Sequence, residues 1–568
     1  MTPADLHTIL HALTLSLVAG TPLFMAALAC TPLQKTVARF LPWAALPAFL
    51  AAFTAPANVF VEVPWFFMGS RMGLDENGHI FLCLAAFVWF LASFSSRSLL
   101  KDDTKRARFL VFFLTAMAGN FGLILASDML GYYLFFAVMS FAAYGLVIHK
   151  ETATAAKAGR IYLTLVMIGE VALFTALIIL AHNSGSLAIE DLRGISYHPL
   201  TLALLFIGFG VKIGALPLHS WMMPAYQAAP IPAAAALGGA MVNAGILGWL
   251  RFLPLGQTSC PTEALFFIVA GALAAVYGVL IGLSHNQAGA LLGCSSISQM
   301  GLITVIFGLG LLSHEAGLAA APVLIIYVVH HSLAKSSLFF AYDLAHRQGK
   351  TLSYLQMTAI LLPALALAGL PLTSGAIAKT AFKDLTIGLG PTWYGLGTFF
   401  LPITAIGTTI LMLHFMHVLK DNGKRSLPER AESRTIFSIS FIAVAITLWL
   451  WPAARDSASH SLAGAKILQA LWPVTAGSIL FFVWRQIPFC NKELSTAQEK
   501  QPSFATLLPP IMQLLEEKEW QIPPHDNVNT SLHRLSPHLR RLEKIMGRWK
   551  IVGLSYLALC LYLVFLLL

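Results

Sequence analysis

Residues 200–217 read LTLALLFIGFGVKIGALP, an apolar run that carries one lysine, Lys212, and ends on Pro217. A run of this length and hydrophobicity is typical of a helix that crosses a membrane. A charged side chain inside such a helix is costly and usually has a function, and a proline breaks the helix. The stretch therefore predicts an integral membrane protein with an ionisable group beside an interrupted helix.

The composition of the whole chain supports the same class. Of the 568 residues, 57% are hydrophobic and 11% are charged, and the mean hydropathy is +0.74. Soluble proteins carry about 25% charged residues. We predict an all-α, polytopic membrane protein of about sixteen transmembrane helices. Their expected positions are 6–30, 40–61, 79–96, 107–127, 129–148, 161–181, 200–217, 230–250, 264–284, 287–311, 318–345, 355–381, 397–419, 435–453, 463–484 and 551–568.

The charges of the loops give an independent test of this topology. Basic residues cluster after odd-numbered spans: Arg97, Lys101, Lys105, Arg106, Arg108, Lys150, Lys157, Arg160, Arg347, Lys350, Lys420, Lys424, Arg425, Arg430 and Arg434. Even-numbered exits carry few. Cytoplasmic loops are enriched in Lys and Arg, so we expect a bacterial inner (plasma) membrane protein with both termini periplasmic. Because the net charge of +10 follows this alternation, it does not indicate nucleic-acid binding.

Several kinds of chemistry find no support in the sequence. The six cysteines are widely scattered and form no CxxC pair, which argues against an iron–sulfur cluster or a structural zinc. There is no GxGxxG after a strand and no GxxxxGK[ST], the motifs that bind dinucleotides or ATP. We therefore expect no cofactor, no metal and no redox or hydrolytic site on this chain.

Five ionisable residues fall well inside predicted spans: Glu170, Lys212, His331, Lys335 and Lys379. Each costs ~2.5–3.5 kcal/mol at the bilayer centre if charged, so we interpret them as a proton pathway. His331 and Lys335 are four residues apart and share one helix face. The alternative for the lysines is snorkelling or pairing with a structural carboxylate, and for Glu170 a structural hydrogen bond.

Two spans contain the same interrupting element. Leu216-Pro217-Leu218 and Leu370-Pro371-Leu372 each lie close to a buried lysine, and Pro217 and Pro371 are the expected helix breaks. Paired interrupted helices in corresponding halves of a chain are typical of inverted-repeat transporters, whose ion sites lie at the breaks.

Residues 105–420 resemble the antiporter-like membrane subunits of respiratory complex I, Mrp-type cation/proton antiporters and membrane-bound hydrogenase or formate hydrogenlyase complexes. Four ordered elements carry the resemblance: VKIGALPLHSW (211–221) with Pro230 and Pro232, SSISQMG (295–301), His331-x-x-x-Lys335, and AGLPLTSG (368–375) with Lys379. They are similar to the family's GK-x-x-x-PLH-x-W, YSTISQ-x-G, TH-x-x-x-K-x-LLF and AGIPPLSGFxSK elements.

The resemblance implies fourteen core helices with two inverted five-helix repeats, spans four to eight and nine to thirteen. It makes Lys212 the first-repeat lysine, His331 and Lys335 the link, and Lys379 the exit residue. Secondary candidates are Asp128, His219, Asn243 and His330. The domains expected are 1–104 (N-terminal transmembrane helices), 105–255 (first repeat), 256–420 (second repeat), 421–484 (C-terminal core helices), 485–550 (basic cytoplasmic segment) and 551–568 (terminal transmembrane helix).

The chain departs from the family pattern in its first half. The family's glutamate on the fifth helix is replaced by Ala137, and a lysine of hydrogenase-type members falls at Asn243. Glu170, one helix later, is our candidate for the missing carboxylate that partners Lys212.

The function that we predict is proton translocation within a larger membrane complex, with other membrane subunits and the lipid bilayer as partners. Sodium is less favoured for the path because an oxygen-rich cation site is not evident, although a partner subunit would be able to handle it. One alternative is a non-conducting coupling or scaffold subunit, favoured by Ala137 and Asn243. Others are a subunit of an energy-coupled inorganic-carbon uptake complex and a self-sufficient solute symporter.

Overall fold

The computed structural model describes residues 3–63, 69–101, 103–348, 353–422 and 431–486. In this part, thirteen helices are long and apolar enough to cross a membrane, and Pro199–Ile213 and Tyr354–Ala368 are shorter apolar helices. Every predicted span up to 463–484 has a helical counterpart, which confirms the all-α polytopic class. The count of sixteen, the inverted repeats and the domain boundaries stay predictions.

The described residues up to Ser478 form one compact unit, and a second unit begins at Ile479. Of the second unit the structure describes only residues 479–486, the end of the last helix. Nearly all of the predicted basic segment 485–550 and the whole predicted terminal span 551–568 lie outside the described residues.

The N-terminal region contains three transmembrane segments and a hairpin. Its elements are α1 (Pro3–Ala29), α2 (Gln34–Phe40), a 3₁₀ turn (Leu41–Ala45), α3 (Leu46–Thr54), β1 (Phe60–Val63), β2 (Ser70–Gly73) and α4 (Glu76–Leu100). The strands are antiparallel, with Phe60 opposite Gly73 and Val63 opposite Ser70. The sequence did not predict this hairpin, because two four-residue strands are too short to show a clear alternating pattern.

The region of the first predicted repeat is wholly helical apart from its loops. It contains α5 (Arg106–Leu125), α6 (Met129–Val147), α7 (Ala153–Ser184), α8 (Pro199–Ile213), α9 (Met222–Ala228), α10 (Ile231–Ala236) and α11 (Val242–Phe252). A π-helical turn, Leu237–Met241, joins α10 to α11 into one span. Such turns widen a helix locally and occur often at functional sites.

The rest of the described chain forms the second predicted repeat and the C-terminal helices. Its helices are α12 (Pro261–Leu283), α13 (Ala288–Gly310), α14 (His314–Gln348), α15 (Tyr354–Ala368), α16 (Ser374–Gly388), α17 (Pro391–Gly395), α18 (Leu401–Asn422), α19 (Ala431–Leu450), α20 (Arg455–Ser461) and α21 (Gly464–Gln486). A second π-helical turn, Leu396–Phe400, precedes α18.

Both predicted breaks are present, but glycine rather than proline ends each helix. Gly214 after α8 and Gly369 after α15 have φ of 75° and 91°, a left-handed conformation that glycine adopts freely. Each glycine N–H bonds the carbonyls three and four residues back, and the next N–H bonds the carbonyl five back. Prolines alone do not interrupt the helices here. Pro22, Pro322, Pro363 and Pro473 all lie inside helices.

The centre of the bundle is formed by α13 and by the span Ile231–Phe252. The most apolar window of α13 is 100% buried and that of the α10–α11 span 94%, against 22% for α21. Small residues allow α12 and α13 to approach closely: a Cβ built on Gly301 would lie 2.5 Å from the Gly271 carbonyl oxygen. Of the sequence elements singled out above, SSISQMG lies on α13, and His331 and Lys335 lie on α14, whose most apolar window is 78% buried.

Ion pairs fasten the two ends of the bundle. At one end, the Arg251 guanidinium donates to the carbonyls of Leu123, Ile124 and Ala126 and to Asp75. At the other, Glu151 pairs with Lys105 and Arg108. The hydrogen bonds from these two cations lower the pKa of Glu151 to about 2. This second cluster joins the basic loops after the third and fifth spans, as the predicted topology requires.

Candidate functional site

Lys212 lies in the last turn of α8, just before the first break, and its side chain is buried. Its Nζ donates to the Tyr162 hydroxyl at 3.2 Å, and that hydroxyl donates to the Ser140 carbonyl at 3.0 Å. The Phe136 and Tyr162 ring centroids each lie 5.6 Å from Nζ, which lets the aromatic faces stabilise a positive charge. Among the described residues, Lys212 forms no ion pair.

Glu170 lies in α7 with 5% of its surface exposed. Its carboxyl interacts electrostatically with Lys212 and lies beside Ser140 and Tyr133 of α6. Those two residues are one turn on either side of Ala137, on the same helix face. Glu170 therefore extends from α7 towards Ala137 of α6. This is the position at which the antiporter-like subunits carry their glutamate.

Lys335 and His331 are completely buried in α14. The Nζ of Lys335 donates to the Leu292 carbonyl of α13 at 3.1 Å. Neither ring nitrogen of His331 has a hydrogen-bond partner among the described residues, and the ring interacts electrostatically with Lys335. The predicted pair thus lies together on α14.

Lys379 lies in α16 and bonds back across the second break. Its Nζ donates to the Ala368 carbonyl at 2.7 Å, one of the acceptors left free where α15 ends. His330 Nδ1 is 2.9 Å from the Ser374 hydroxyl at the start of α16, and its ring interacts electrostatically with both Lys379 and Lys335. The structure therefore places His330, rather than His331, between Lys335 and Lys379.

A row of polar side chains lies between Lys212 and Lys335. Tyr162 and Tyr226 both pack edge-on against Trp221, with 5.1 and 6.0 Å between ring centroids, and the Tyr226 hydroxyl lies beside Ser296 of α13. Ser296 is one turn after Leu292, the residue whose carbonyl accepts from Lys335. Sequence reasoning missed both tyrosines, because a tyrosine in an apolar helix is usually a core residue; Ser296 was within a quoted element.

The secondary candidates have different surroundings. Asp128 caps α6 by accepting from the Gly131 N–H at 2.6 Å, and it also accepts from the Arg71 N–H at 3.0 Å, which indicates a structural role at a helix end. His219 packs edge-on against Tyr277, with 4.7 Å between ring centroids. The amide of Asn243 donates to the Ser332 hydroxyl at 3.3 Å, next to His331, and links α11 with α14.

Buried polar atoms without a hydrogen-bond partner in the described residues recur along this row. They belong to Glu170, His219, Tyr226, Asn243, Ser295, Ser296 and His331. Buried polar groups in proteins are nearly always bonded to protein or to internal water. The interior between Lys212 and Lys335 therefore offers binding places for water.

Asp343 is a buried carboxylate that the sequence patterns did not single out. It is 2% exposed, two turns after Lys335 in α14, and accepts hydrogen bonds from Ser95 at 3.3 Å and Ser433 at 3.1 Å. Deeper along the same two helices, Ser440 of α19 donates to Ser337 at 3.3 Å. Asp343 was missed because it falls at the end of a predicted span, where charged residues are ordinary.

Taken together, these contacts define a polytopic membrane protein whose interior carries ionisable and polar side chains between two interrupted helices. Residues 126–407, which include all five predicted pathway residues, match the family model described as NADH:quinone oxidoreductase/Mrp antiporter, transmembrane. This region belongs to that family of membrane subunits, as its sequence elements indicated.

Curated relatives come from several kinds of complex. The chain is 29% identical over 290 residues to hydrogenase-4 component B of Escherichia coli, covering 49% of this chain and 43% of the relative. It is 30% identical over 342 residues to a probable K(+)/H(+) antiporter protein of Rhizobium meliloti, its A/B subunit, covering 56% and 33%. The chain thus spans less than half the length of each of these two relatives.

Two solved structures share the fold. The Mrp complex from Dietzia sp. contains a chain with a TM-score of 0.71 and 18% identity, covering 94% of this chain and 63% of that one. A chain of the membrane-bound sulfane sulfur reductase, an archaeal respiratory membrane complex, has a TM-score of 0.66 and 19% identity, covering 81% and 100%. At these identities the likeness concerns the fold alone.

Proposed function

We propose that this chain translocates protons as one membrane subunit of a larger complex in a bacterial inner (plasma) membrane, with both termini periplasmic. The observation that carries the proposal is the bonding of three lysines, of which Lys212 and Lys335 are buried and Lys379 is half-buried. Lys212, Lys335 and Lys379 bond a hydroxyl and two carbonyls, and none forms an ion pair in the described part of the chain. Without a counter-ion a buried amine is able to exist neutral, so both protonation states are accessible.

The contacts suggest an order for the path. In the second half, a proton taken up at Asp343 passes along the Ser337–Ser440 contact to Lys335, then through His330 to Lys379. Lys379 passes it to the outer side across the broken end of α15. Serine hydroxyls and water both accept and donate hydrogen bonds, as a proton relay requires.

The first half is connected to the second through the polar row. A positive charge on Lys335 disfavours protonation of the neighbouring basic side chain of His331. The carboxylate of Glu170, in contrast, favours the charged form of Lys212. A change of charge at one lysine is thereby felt by its neighbours. We propose that an event in a partner membrane protein of the complex, either redox chemistry or the movement of a second ion, sets this charge and drives transport.

The transported ion is identified by reconstituting the complex that copurifies with the chain. When the complex is driven by a reaction or an ion gradient that does not itself involve sodium, we expect the internal pH of proteoliposomes to change at the same initial rate in sodium-free and sodium-containing buffer. The lysines exchange protons and provide no oxygen cage for sodium. A pH-sensitive dye inside the vesicles follows the reaction, and loss of the signal on sodium removal would assign the path to sodium.

A non-conducting scaffold is the second candidate, and a specific contact favours it. Asn243, at the position of a lysine in hydrogenase-type members, is bonded through its amide to Gly239 and Ser332 and carries no transferable proton. Ala137 likewise carries none. A scaffold needs the fold but not the amines, so the lysine variants described in the Discussion separate the two candidates.

Replacing Glu170 by glutamine is expected to slow proton transport about tenfold, because removing ~1.4 kcal/mol of interaction with Lys212 changes a rate or population by that factor. The initial rate of the pH change in proteoliposomes measures it. Glu190→Gln is the matched control, since Glu190 is exposed and pairs with Arg71.

A rescue experiment tests the placement of the carboxyl. If Glu170 extends towards the Ala137 face, adding Ala137→Glu to the Glu170→Gln variant restores a carboxylate beside Lys212 and recovers transport. Wild-type rates in the single Glu170→Gln variant would show that Glu170 has only a structural role.

Asp343→Asn is expected to slow transport about tenfold while leaving the fold intact, because the amide keeps the acceptor oxygen for Ser95 and Ser433 but releases no proton. Rates are measured as a function of pH on the uptake side. Asp456→Asn, at an exposed position of α20, serves as the control. Unchanged transport by Asp343→Asn would remove this residue from the path.

A further inference from the structure

A cavity of about 770 Å³ opens near the ends of α2, α4 and α5, on the side predicted to be cytoplasmic. Its charged lining consists of Lys35, Arg39, Arg97, Lys101, Arg106 and Glu432. Five cations therefore face a single carboxylate, which favours an anionic occupant. None of the residues that line the cavity belongs to the proposed proton path. Binding in the cavity is therefore testable separately from proton translocation.

The cations are arranged in two pairs by helix geometry. Lys35 and Arg39 are four residues apart on α2, and Arg97 and Lys101 are four residues apart from the end of α4 to its cap, so each pair shares a face. Like charges at this spacing repel each other. In the described residues none of these four forms an ion pair, and the repulsion is relieved by binding an anion.

The fifth cation is held in place by the backbone. The Arg106 guanidinium donates to the carbonyls of Leu100 at 2.6 Å and Lys101 at 2.8 Å, which fixes it at the wall of the cavity. Arginine forks suit the tetrahedral oxygens of a phosphate, and basic pockets between transmembrane helices on the cytoplasmic side bind lipid headgroups. The shared chemistry of the occupant is thus a phosphate oxyanion.

The surface next to the cavity favours a lipid over free phosphate. Leu33, Phe40 and Trp43 lie on the same segment as Lys35 and Arg39 and are 51%, 49% and 57% exposed. Tryptophan at such a place is typical of the membrane interface. We propose that this cavity binds the phosphodiester headgroup of an anionic phospholipid, whose acyl chains lie along the apolar surface of α2 and the 3₁₀ turn.

The test compares lipids on the full chain purified with its copurifying subunits. After delipidation, binding of phosphatidylglycerol and of phosphatidylcholine is titrated by native mass spectrometry. We expect phosphatidylglycerol to bind more tightly, and Arg39→Gln with Arg97→Gln to weaken its binding about 25-fold, at about fivefold for each basic residue near the surface. The control Lys157→Gln with Arg160→Gln removes the same charge from an exposed face at the same predicted side and is expected to change affinity less than about twofold.

The other possible outcomes would each contradict lipid binding in this cavity. Equal binding of the two lipids by the wild-type chain, or equal weakening by both double variants, would overturn it in favour of general surface charge. Inorganic phosphate that binds alone and displaces phosphatidylglycerol stoichiometrically would assign the cavity to free phosphate. If the double glutamine variant does not fold, the single variants Arg39→Gln and Arg97→Gln are each expected to weaken binding about fivefold, and an unchanged affinity in both would overturn the proposal.

Discussion

Replacing Lys379 by methionine is expected to lower proton transport by about 100-fold or more, the effect of losing a positioned proton donor. Methionine keeps the bulk of the side chain beside Gly369, where a Cβ would lie 2.7 Å from the lysine Cδ, and removes the amine that bonds Ala368. The initial rate of the pH change in proteoliposomes, driven through the assembled complex, measures the effect.

The same helix offers a matched control. Lys383 is one turn further along α16, is partly exposed and bonds the Gln469 side chain at 2.7 Å. Lys383→Met is expected to transport at the wild-type rate. Lys379→Arg is expected to be as inactive as the methionine variant, because arginine keeps the charge but does not release its proton. An active Lys379→Arg variant would show that charge alone, without proton exchange, is needed.

Lys335→Met is expected to have an effect of the same size, about 100-fold. In the proposed path Lys335 joins the Lys212 side to the Lys379 side, since its amine bonds Leu292 near Ser296 and its charge acts on His330. Removing the amine therefore separates the Lys212 side of the row from the Lys379 side.

The expected pattern for Lys335 distinguishes a relay from a structural role. Thermal stability of the purified complex is measured alongside transport, and an unpaired buried amine replaced by an apolar side chain of similar volume is expected to leave it unchanged or raise it. A variant that loses stability and transport in proportion would contradict the relay, because the lysine would then be needed only for folding.

Much of the fold was predictable from sequence because the bilayer imposes simple rules. Spans need long apolar helices, and loop charges alternate, so the spans from 6–30 to 463–484 were located to within a few residues at most ends. The sequence predicted the two helix breaks near the right residues, but the physical reason for the prediction was incomplete. Proline was the signal used, whereas Gly214 and Gly369 end the helices and prolines elsewhere are accommodated inside them.

The site was predicted less completely because side-chain direction depends on tertiary packing. His330 and His331 are adjacent, and only the rotation of α14 against α16 decides that His330 reaches Ser374. In the same way, Tyr162 and Tyr226 both pack against Trp221, although Tyr162 is far from the other two in sequence. The sequence pattern of a helix shows which residues share one face of that helix. It does not show which residues of other helices pack against that face.

The most direct test of proton translocation by this chain is transport by the double variant Lys335→Met with Lys379→Met, reconstituted with the subunits that copurify with the wild-type chain. We predict that the complex assembles in wild-type amounts and that proton flux falls to the level of protein-free vesicles. Wild-type proton flux through a complex that lacks both amines would contradict a proton path through this chain and support the scaffold.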